Sequence, residues 1–218
     1  MRAFGQINDN LQQQAGALFS EMFPEAGNPE EANGVLSDIA VITMGQSPSG
    51  ESYNEDGFGT VFFQGRAEFG FRFPTIRLYT TEPKRMASRG DTLISVRAPV
   101  GDLNVAHEDC CIGRGLSAIH SKDGHTSFVL YTMSSLREQL EVFNGQGTVF
   151  GSINKNVLYG MPIFVPDAKE IDRFENLVSP IDRLILSNHD ENVRLAAIRD
   201  LLLPRLMSGE IDVSAVRL

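Results

Sequence analysis

Ile171, Phe174, Val178, Ile181 and Ile185 recur at intervals of three and four, and Leu195, Ile198 and Leu202 resume the stepping after Asn188 and Asn192. This is a coiled-coil-type seam on a long helix from Ala168 to about Leu203, and it constrains the chain more than any other feature. An apolar stripe of that length must be covered by another helix, and whatever this chain leaves uncovered invites a second chain. Ser179-Pro180 predicts a kink or restart, because Pro costs about 3 kcal/mol inside a helix but suits a first turn after a Ser cap. Pro204 predicts a stop. The asparagines at the middle of the seam read as register control, since a polar seam residue costs stability but fixes pairing.

A second amphipathic helix is predicted at the other end. Ile7, Leu11, Ala15, Leu18 and Met22 step by three and four until Pro24, and Glu25 to Gly34 is a turn-rich acidic connector. The two terminal helices can pair antiparallel with each other.

Between Val35 and about Pro166 the texture changes to short apolar runs bounded by Gly, Pro and Asn: VITMG, TVFFQG, TIRLYTT, DTLISVRAPVG, DLNVAH, CCIGRGLSAIHS and MPIFVP. These read as strands. One helix is expected among them, Thr126 to Phe143, with Phe128, Tyr131, Leu136, Leu140 and Phe143 on a shared face. The predicted fold is α+β: an N-terminal helix over 1–24, a β-rich domain over 35–166, a long C-terminal helix over 167–207 and a tail over 208–218.

The chain carries 28 acidic against 19 basic residues, a formal charge of −9, which by itself points away from nucleic acid. The longest uncharged apolar stretch, Met161 to Val165, is far short of the roughly 18–20 residues of a membrane span, and Met1 to Phe23 has no apolar core of a signal peptide. Cys110 and Cys111 are adjacent, which suits neither a disulfide nor a zinc site. A cytoplasmic protein is the expectation.

Catalytic patterns are missing: no G-x-S-x-G, no phosphate-binding G-x-x-x-x-G-K-[ST] and no H-E-x-x-H. No catalytic residue, metal ligand or cofactor of its own is therefore assigned. Glu82-Pro-Lys84 imitates the end of a metal-dependent nuclease motif in a turn-like setting, and Gly113-Arg-Gly115 imitates a dinucleotide fingerprint with a strand where the helix should open.

The charge is unevenly spread. From Val61 to Val100, seven bases face three acids, a net +4, with Phe62, Phe63, Phe69, Phe71 and Phe73 interleaved. Residues 1–34 carry −4 and residues 166–218 carry −3. Gln64 and Arg66 are candidates for base edges, because Gln and Arg suit bidentate bonding to adenine and guanine. Asn144 to Asn156 is a second candidate surface, thirteen residues with Lys155 as the only charge. Both stretches also read as ordinary strand surface and connecting loop.

At this point a resemblance can be stated. Gly90 to Gly101 (GDTLISVRAPVG), Cys111 to Leu116, Gly45 to Ser49 with Tyr53, Gly151 to Lys155, and Pro162 to Pro166 closely resemble the target recognition domain of type I restriction-modification specificity subunits. Ile7 to Phe23 and Leu195 to Val213 look like the ends of that family's two conserved helical regions. Where the family's usual subunit has two recognition domains and two long helices, this chain has one domain and resembles the C-terminal half, as a natural half-subunit or a fragment.

The resemblance implies sequence-specific binding of double-stranded DNA, with methyl transfer and cleavage left to the modification subunit and, through it, the restriction subunit. Expected DNA contacts are Gln46, Ser47, Gln64, Arg66, Arg72, Arg97, Arg114, Thr148, Ser152, Asn154 and Lys155. Arg97 and Arg114 have an alternative, pairing with Asp91 or Asp102 to hold loops. Leu11, Leu18, Ile181, Ile185, Leu195, Ile198 and Leu202 are the expected partner contacts, and two copies joined by their helices would read a palindromic split site. The competing readings are a stand-alone nuclease on Glu82 and Lys84, and a scaffold that never touches DNA.

Overall fold

The computed structural model describes residues 2–144 and 151–211, residues 2–4 by backbone only. In chain order the elements are α1 (Arg2–Met22), β1 (Gly34–Val35), α2 (Leu36–Ile39), β2 (Ala40–Met44), β3 (Tyr53–Asn54), β4 (Thr60–Phe63) and β5 (Leu78–Thr80). They continue with β6 (Met86–Ala87), β7 (Thr92–Ser95), β8 (Leu103–Val105), β9 (Cys110–Ile112), β10 (Leu116–Ser121), α3 (Thr126–Ser135) and α4 (Arg137–Glu141). α5 (Lys155–Tyr159), β11 (Pro162–Ile163) and α6 (Ala168–Met207) complete the α+β chain. Its contacts define two units: residues 17–179, and the remaining parts of α1 and α6.

The larger unit is built on a four-stranded sheet, β2-β10-β7-β8, whose neighbours are antiparallel. Alternation along the strands sends Ile42, Ile94, Val96 and Ile119 to one face, where they meet Leu36, Val129, Met133, Leu136, Leu140 and Leu158 from the helices. Leu93, Leu116 and Ala118 point the other way, onto Val61, Phe63, Cys110 and Ile112 of a five-stranded sheet ordered β3-β5-β4-β9-β6. Thus β7 is buried at every position, as a middle layer must be.

The helix expected over Thr126–Phe143 is broken. α3 ends at Ser135, α4 covers Arg137–Glu141, and a 3-10 turn follows over Val142–Asn144. Ser135 Oγ donates back to the Thr132 carbonyl at 2.8 Å, a local bond that competes with the helical ladder. The break also divides the apolar set. Leu136 and Leu140 join the sheet-facing core, while Phe128 and Tyr131 pack with Phe19, Phe23 and Phe174 in an aromatic cluster whose centroids lie 5.3–6.4 Å apart. Edge-to-face pairs of this kind contribute about 0.5–1.5 kcal/mol each beyond burial. α3 is anchored to the start of α6 by Glu175, whose carboxylate accepts the Ser127 and Phe128 N–H groups at 3.2 and 3.0 Å.

α6 corrects the restart expected as one alternative at Pro180 and the stop expected at Pro204. It neither restarts at Pro180 nor stops at Pro204, and runs through both to Met207. The lost hydrogen bond and steric clash at Pro180 cost about 3 kcal/mol. Phe174, Val178 and Ile185, all fully buried, offset this at roughly 1.5–3 kcal/mol each. Beyond Pro204 the final turn is closed by the Ser208 N–H, which donates to the Pro204 carbonyl at 2.9 Å.

In the smaller unit α1 and α6 meet through asparagines. Asn188 Nδ2 donates to Asn8 Oδ1 at 2.8 Å, and Asn8 Nδ2 reaches the Ile185 carbonyl at 3.5 Å. Farther along α6, Val193, Leu195, Ile198, Leu201, Leu202, Leu203, Leu206 and Met207 are exposed.

Candidate nucleic-acid interface

The motif Gly90–Gly101 is mostly scaffold. Asp91 is buried, accepts the Ser88 N–H at 2.8 Å and lies 2.6 Å from His120 Nδ1. Ser95 staples the β7–β8 turn: its Oγ donates to the Pro99 carbonyl at 2.7 Å and accepts the Asp102 N–H at 3.0 Å. What remains pointing outward from the turn is Arg97, which is exposed.

Residues 151–153 of the second candidate surface dock on this turn. Arg97 and Ser152 form an antiparallel bridge, the Ala98 N–H donates to the Gly151 carbonyl and the Ile153 N–H to the Val96 carbonyl, both at 3.0 Å. The two surfaces singled out from sequence are therefore neighbours. Asn144 holds the near end by accepting the Val100 N–H at 2.5 Å and donating to the Val100 carbonyl at 3.3 Å.

The Gly-Arg-Gly run has a packing role. A Cβ at Gly113 would lie 2.6 Å from the Gln64 carbonyl oxygen, and one at Gly115 would lie 3.1 Å from the same atom. Gly45 packs equally closely on the Gly113 carbonyl. Three glycines thus let the β9–β10 turn seat the backbone of Gln64, whose exposed side chain enters an open cleft of about 420 Å³. Arg66, Arg77 and Arg97 line the same cleft, with Glu68 at its base.

Not every candidate is there. Arg72 corrects the expected phosphate contact: it is 8% exposed, and its guanidinium lies 5.5 Å from the Tyr131 ring centroid, inside the domain. Asn154 is spent as the N-cap of α5, accepting the Val157 N–H at 3.1 Å. Lys155 is exposed with its Nζ 4.8 Å from the Tyr159 ring centroid. Gln46 and Arg114 are exposed, and Ser47 Oγ accepts the Arg114 N–H at 3.3 Å. Thr148 lies outside the described residues.

The loop-holding alternative for Arg97 and Arg114 is not what the carboxylates do. Asp102 pairs with Arg66, and Asp91 with His120. Glu68 and Arg77 also line the cleft, and in the sequence only their charge was visible. Glu68 is buried and accepts from Arg77 Nη2 at 3.0 Å.

Other chemistry is thin. Glu82 and Lys84 face each other at 4.0 Å on the surface, and among the described residues no three His, Cys, Asp or Glu gather to hold a metal. Burial, reinforced by Asp91, pushes the Cys110 thiol up to about 12, far from a reactive thiolate. No described helix is long and apolar enough to cross a membrane.

Of the expected partner contacts, Ile185 is fully buried within its own chain and is no free docking residue. Leu11, Leu18 and Ile181 are half-buried, and Leu195, Ile198 and Leu202 are exposed.

A three-layer α+β domain with a glycine-seated, arginine-lined cleft is thus continuous in sequence with a long helix. No protein-family model matches the chain. It is a homologue of type I specificity subunits: a Methanocaldococcus jannaschii chain provisionally named as the specificity subunit of the type I restriction enzyme MjaX is 39% identical over 174 residues, 79% of this chain and 41% of that one. The HindI specificity subunit of Haemophilus influenzae is 31% identical over 121 residues, 54% of this chain and 26% of its own. Among solved structures, the HsdS subunit from Thermoanaerobacter tengcongensis superposes with a TM-score of 0.62 at 31% identity, covering 96% of this chain and 54% of that one. The match spans about half or less of the length of each of these relatives.

Proposed function

We propose that the chain reads DNA sequence as a single recognition half of a type I restriction-modification complex. In this reading residues 35–166 are the recognition domain, and the chain itself carries out no catalysis. The observation that carries it is the convergence of Gln64, Arg66 and Arg97 on one cleft, with Arg114 and Ser152 beside it. Gln and Arg present paired donors and acceptors to base edges, each good bidentate contact being worth about 1–3 kcal/mol of discrimination. The neighbouring arginines, Lys155 and backbone groups suit phosphate positioning.

The exposed apolar end of α6 supports the second half of the reading. Leu195, Ile198 and Leu202 repeat at seam spacing and are uncovered. They serve docking of the modification subunit, through it the restriction subunit, and pairing with a second copy so that two half-sites are read. The cytoplasm is where such a complex meets its DNA. A net charge of −9 makes the isolated chain a weak binder that relies on a partner for electrostatic grip.

The test is fluorescence anisotropy on a randomised duplex pool at low salt, with and without the cognate modification subunit. The expected result is weak binding alone, enrichment of one sequence in the complex, and neither cleavage nor methylation by the isolated chain with Mg²⁺ and S-adenosylmethionine. Absence of DNA binding in both states would leave the scaffold reading standing, and cleavage by the chain alone would favour the nuclease.

A further inference from the structure

Gln64, Arg66 and Arg77 belong to the excursion between β4 and β5, and three buried side chains hold that excursion down. Glu68 closes its two ends on each other: the carboxylate accepts the Gly65 N–H at 3.2 Å and the Arg77 guanidinium at 3.0 Å. Arg72 anchors the far side beneath the Tyr131 ring. The third anchor is Asn104, 2% exposed, in the middle of β8.

β8 is the edge strand of the four-stranded sheet. The excursion runs along that edge in step: Arg66 meets Asp102, Gly70 meets Asn104, and the Arg72 carbonyl accepts the Val105 N–H at 2.8 Å. At the central contact Asn104 Oδ1 accepts the Gly70 N–H at 3.1 Å, while Nδ2 donates to the Gly70 carbonyl at 3.1 Å and to the Leu103 carbonyl at 2.7 Å. The carboxamide stands in for a strand residue, supplying an acceptor and a donor on two separate atoms, as an ionised carboxylate does not. The segment doubles back at this point, since a Cβ on Gly70 would lie 2.5 Å from the Phe73 carbonyl oxygen.

β8 is also one arm of the hairpin whose turn presents Arg97. Asn104 is therefore the tie between two separately supported parts of the cleft, the excursion with Gln64 and Arg66 and the hairpin with Arg97. We propose that Asn104 is a positioning residue for base recognition, fixing the spacing of these side chains without touching DNA. This rests on the DNA-recognition reading above and adds to it the device that sets its specificity. Bidentate base contacts demand placement within about 0.5 Å, whereas phosphate contacts tolerate movement. Loosening the tie must then cost discrimination and leave nonspecific affinity in place.

The experiment uses the full chain with its modification subunit, a duplex pool with a randomised core to find the preferred sequence, and then titration of that sequence against a scrambled one. Asn104→Ala is expected to lower the preference by about tenfold, the loss of about one well-aligned base contact. Binding to the scrambled duplex stays within about twofold, because the phosphate contacts remain. Amide exchange at Gly70 rises in step. Asn104→Ser, which leaves one shorter group that can donate or accept in place of the carboxamide, falls between. If the alanine variant does not fold, the serine variant decides by the same two affinities. A folded variant with unchanged preference, or one that loses both affinities in parallel, would overturn the proposal. A native chain that enriches no sequence would instead sink the DNA reading, and the inference with it.

Discussion

Arg66 and Asp102 form an ion pair at the rim of the cleft, with side-chain exposures of 50% and 36%. A pair this open is worth about 0–1 kcal/mol, so it holds the guanidinium loosely and yields to a stronger anion. In the DNA-recognition reading Asp102 competes with a phosphate or base acceptor for the same guanidinium. Asp102→Asn is expected to raise low-salt DNA affinity severalfold and to steepen the dependence of log K on log salt by about one phosphate equivalent. Anisotropy titrations at several salt concentrations measure both, and an unchanged slope would place Arg66 outside the contact surface.

Gly113→Ala introduces a Cβ 2.6 Å from the Gln64 carbonyl oxygen, backbone that cannot swing aside like a flexible side chain. The expected cost is about 1–3 kcal/mol, in the range for overpacking, together with a displaced Gln64. Thermal melts and selection from the randomised pool would register these separately.

Asn8 and Asn188 test register control in the smaller unit. Asn8→Ala removes the bond to Asn188 and the weaker one to Ile185, at about 1–2 kcal/mol. The double change Asn8→Leu with Asn188→Leu is expected to recover or exceed the native melting temperature while broadening the distribution of oligomers seen by light scattering.

Glu175 caps α3 from α6 through two charge-assisted bonds. Glu175→Ala should cost about 1–2 kcal/mol in denaturant melts, and Glu175→Gln, which keeps an acceptor without the charge, roughly half as much.

Cys110 gives a pH dependence of definite sign. Its thiol is raised from 9.0 to about 12 in the folded chain, chiefly by burial, so the folded state holds the proton more tightly than the unfolded state. The stability this contributes is complete below pH 9 and is lost between about pH 9 and 12, at up to about 1.4 kcal/mol per pH unit. Cys110→Ala should flatten that decline in melts across the window.

The strands were legible because period and punctuation agree: every run bounded by Gly, Pro or Asn became a strand or a strand pair. Short pieces such as β1, β3 and β6 escaped, since two residues make no pattern. Pro180 misled because local cost is visible in a sequence and the burial of Val178 and Ile185 that offsets it is not. Arg72 failed for a related reason: nothing around it in the chain reveals the Tyr131 ring fifty-nine positions away. Gln64 and Arg66 were singled out through hydrogen-bonding chemistry and Arg97 through the family resemblance, but nothing in the sequence shows that they line one cleft, and Asn104, which ties its two sides, is an asparagine with no distinguishing neighbours.

The excursion that seals the edge of β8 places two duties on one stretch of chain. An open strand edge is a template for unwanted pairing, so any variant that peels this segment away exposes an aggregation site as well as displacing Gln64 and Arg66 from the cleft. Diversification is thereby channelled. In the DNA-recognition reading, positions 64, 66, 71, 75 and 76, which face outward, are free to change the message, while 68 closes the excursion on itself, 70 is held by Asn104 and 72 by Tyr131, and these must stay. A library confined to the first set would search new target sequences without spending solubility.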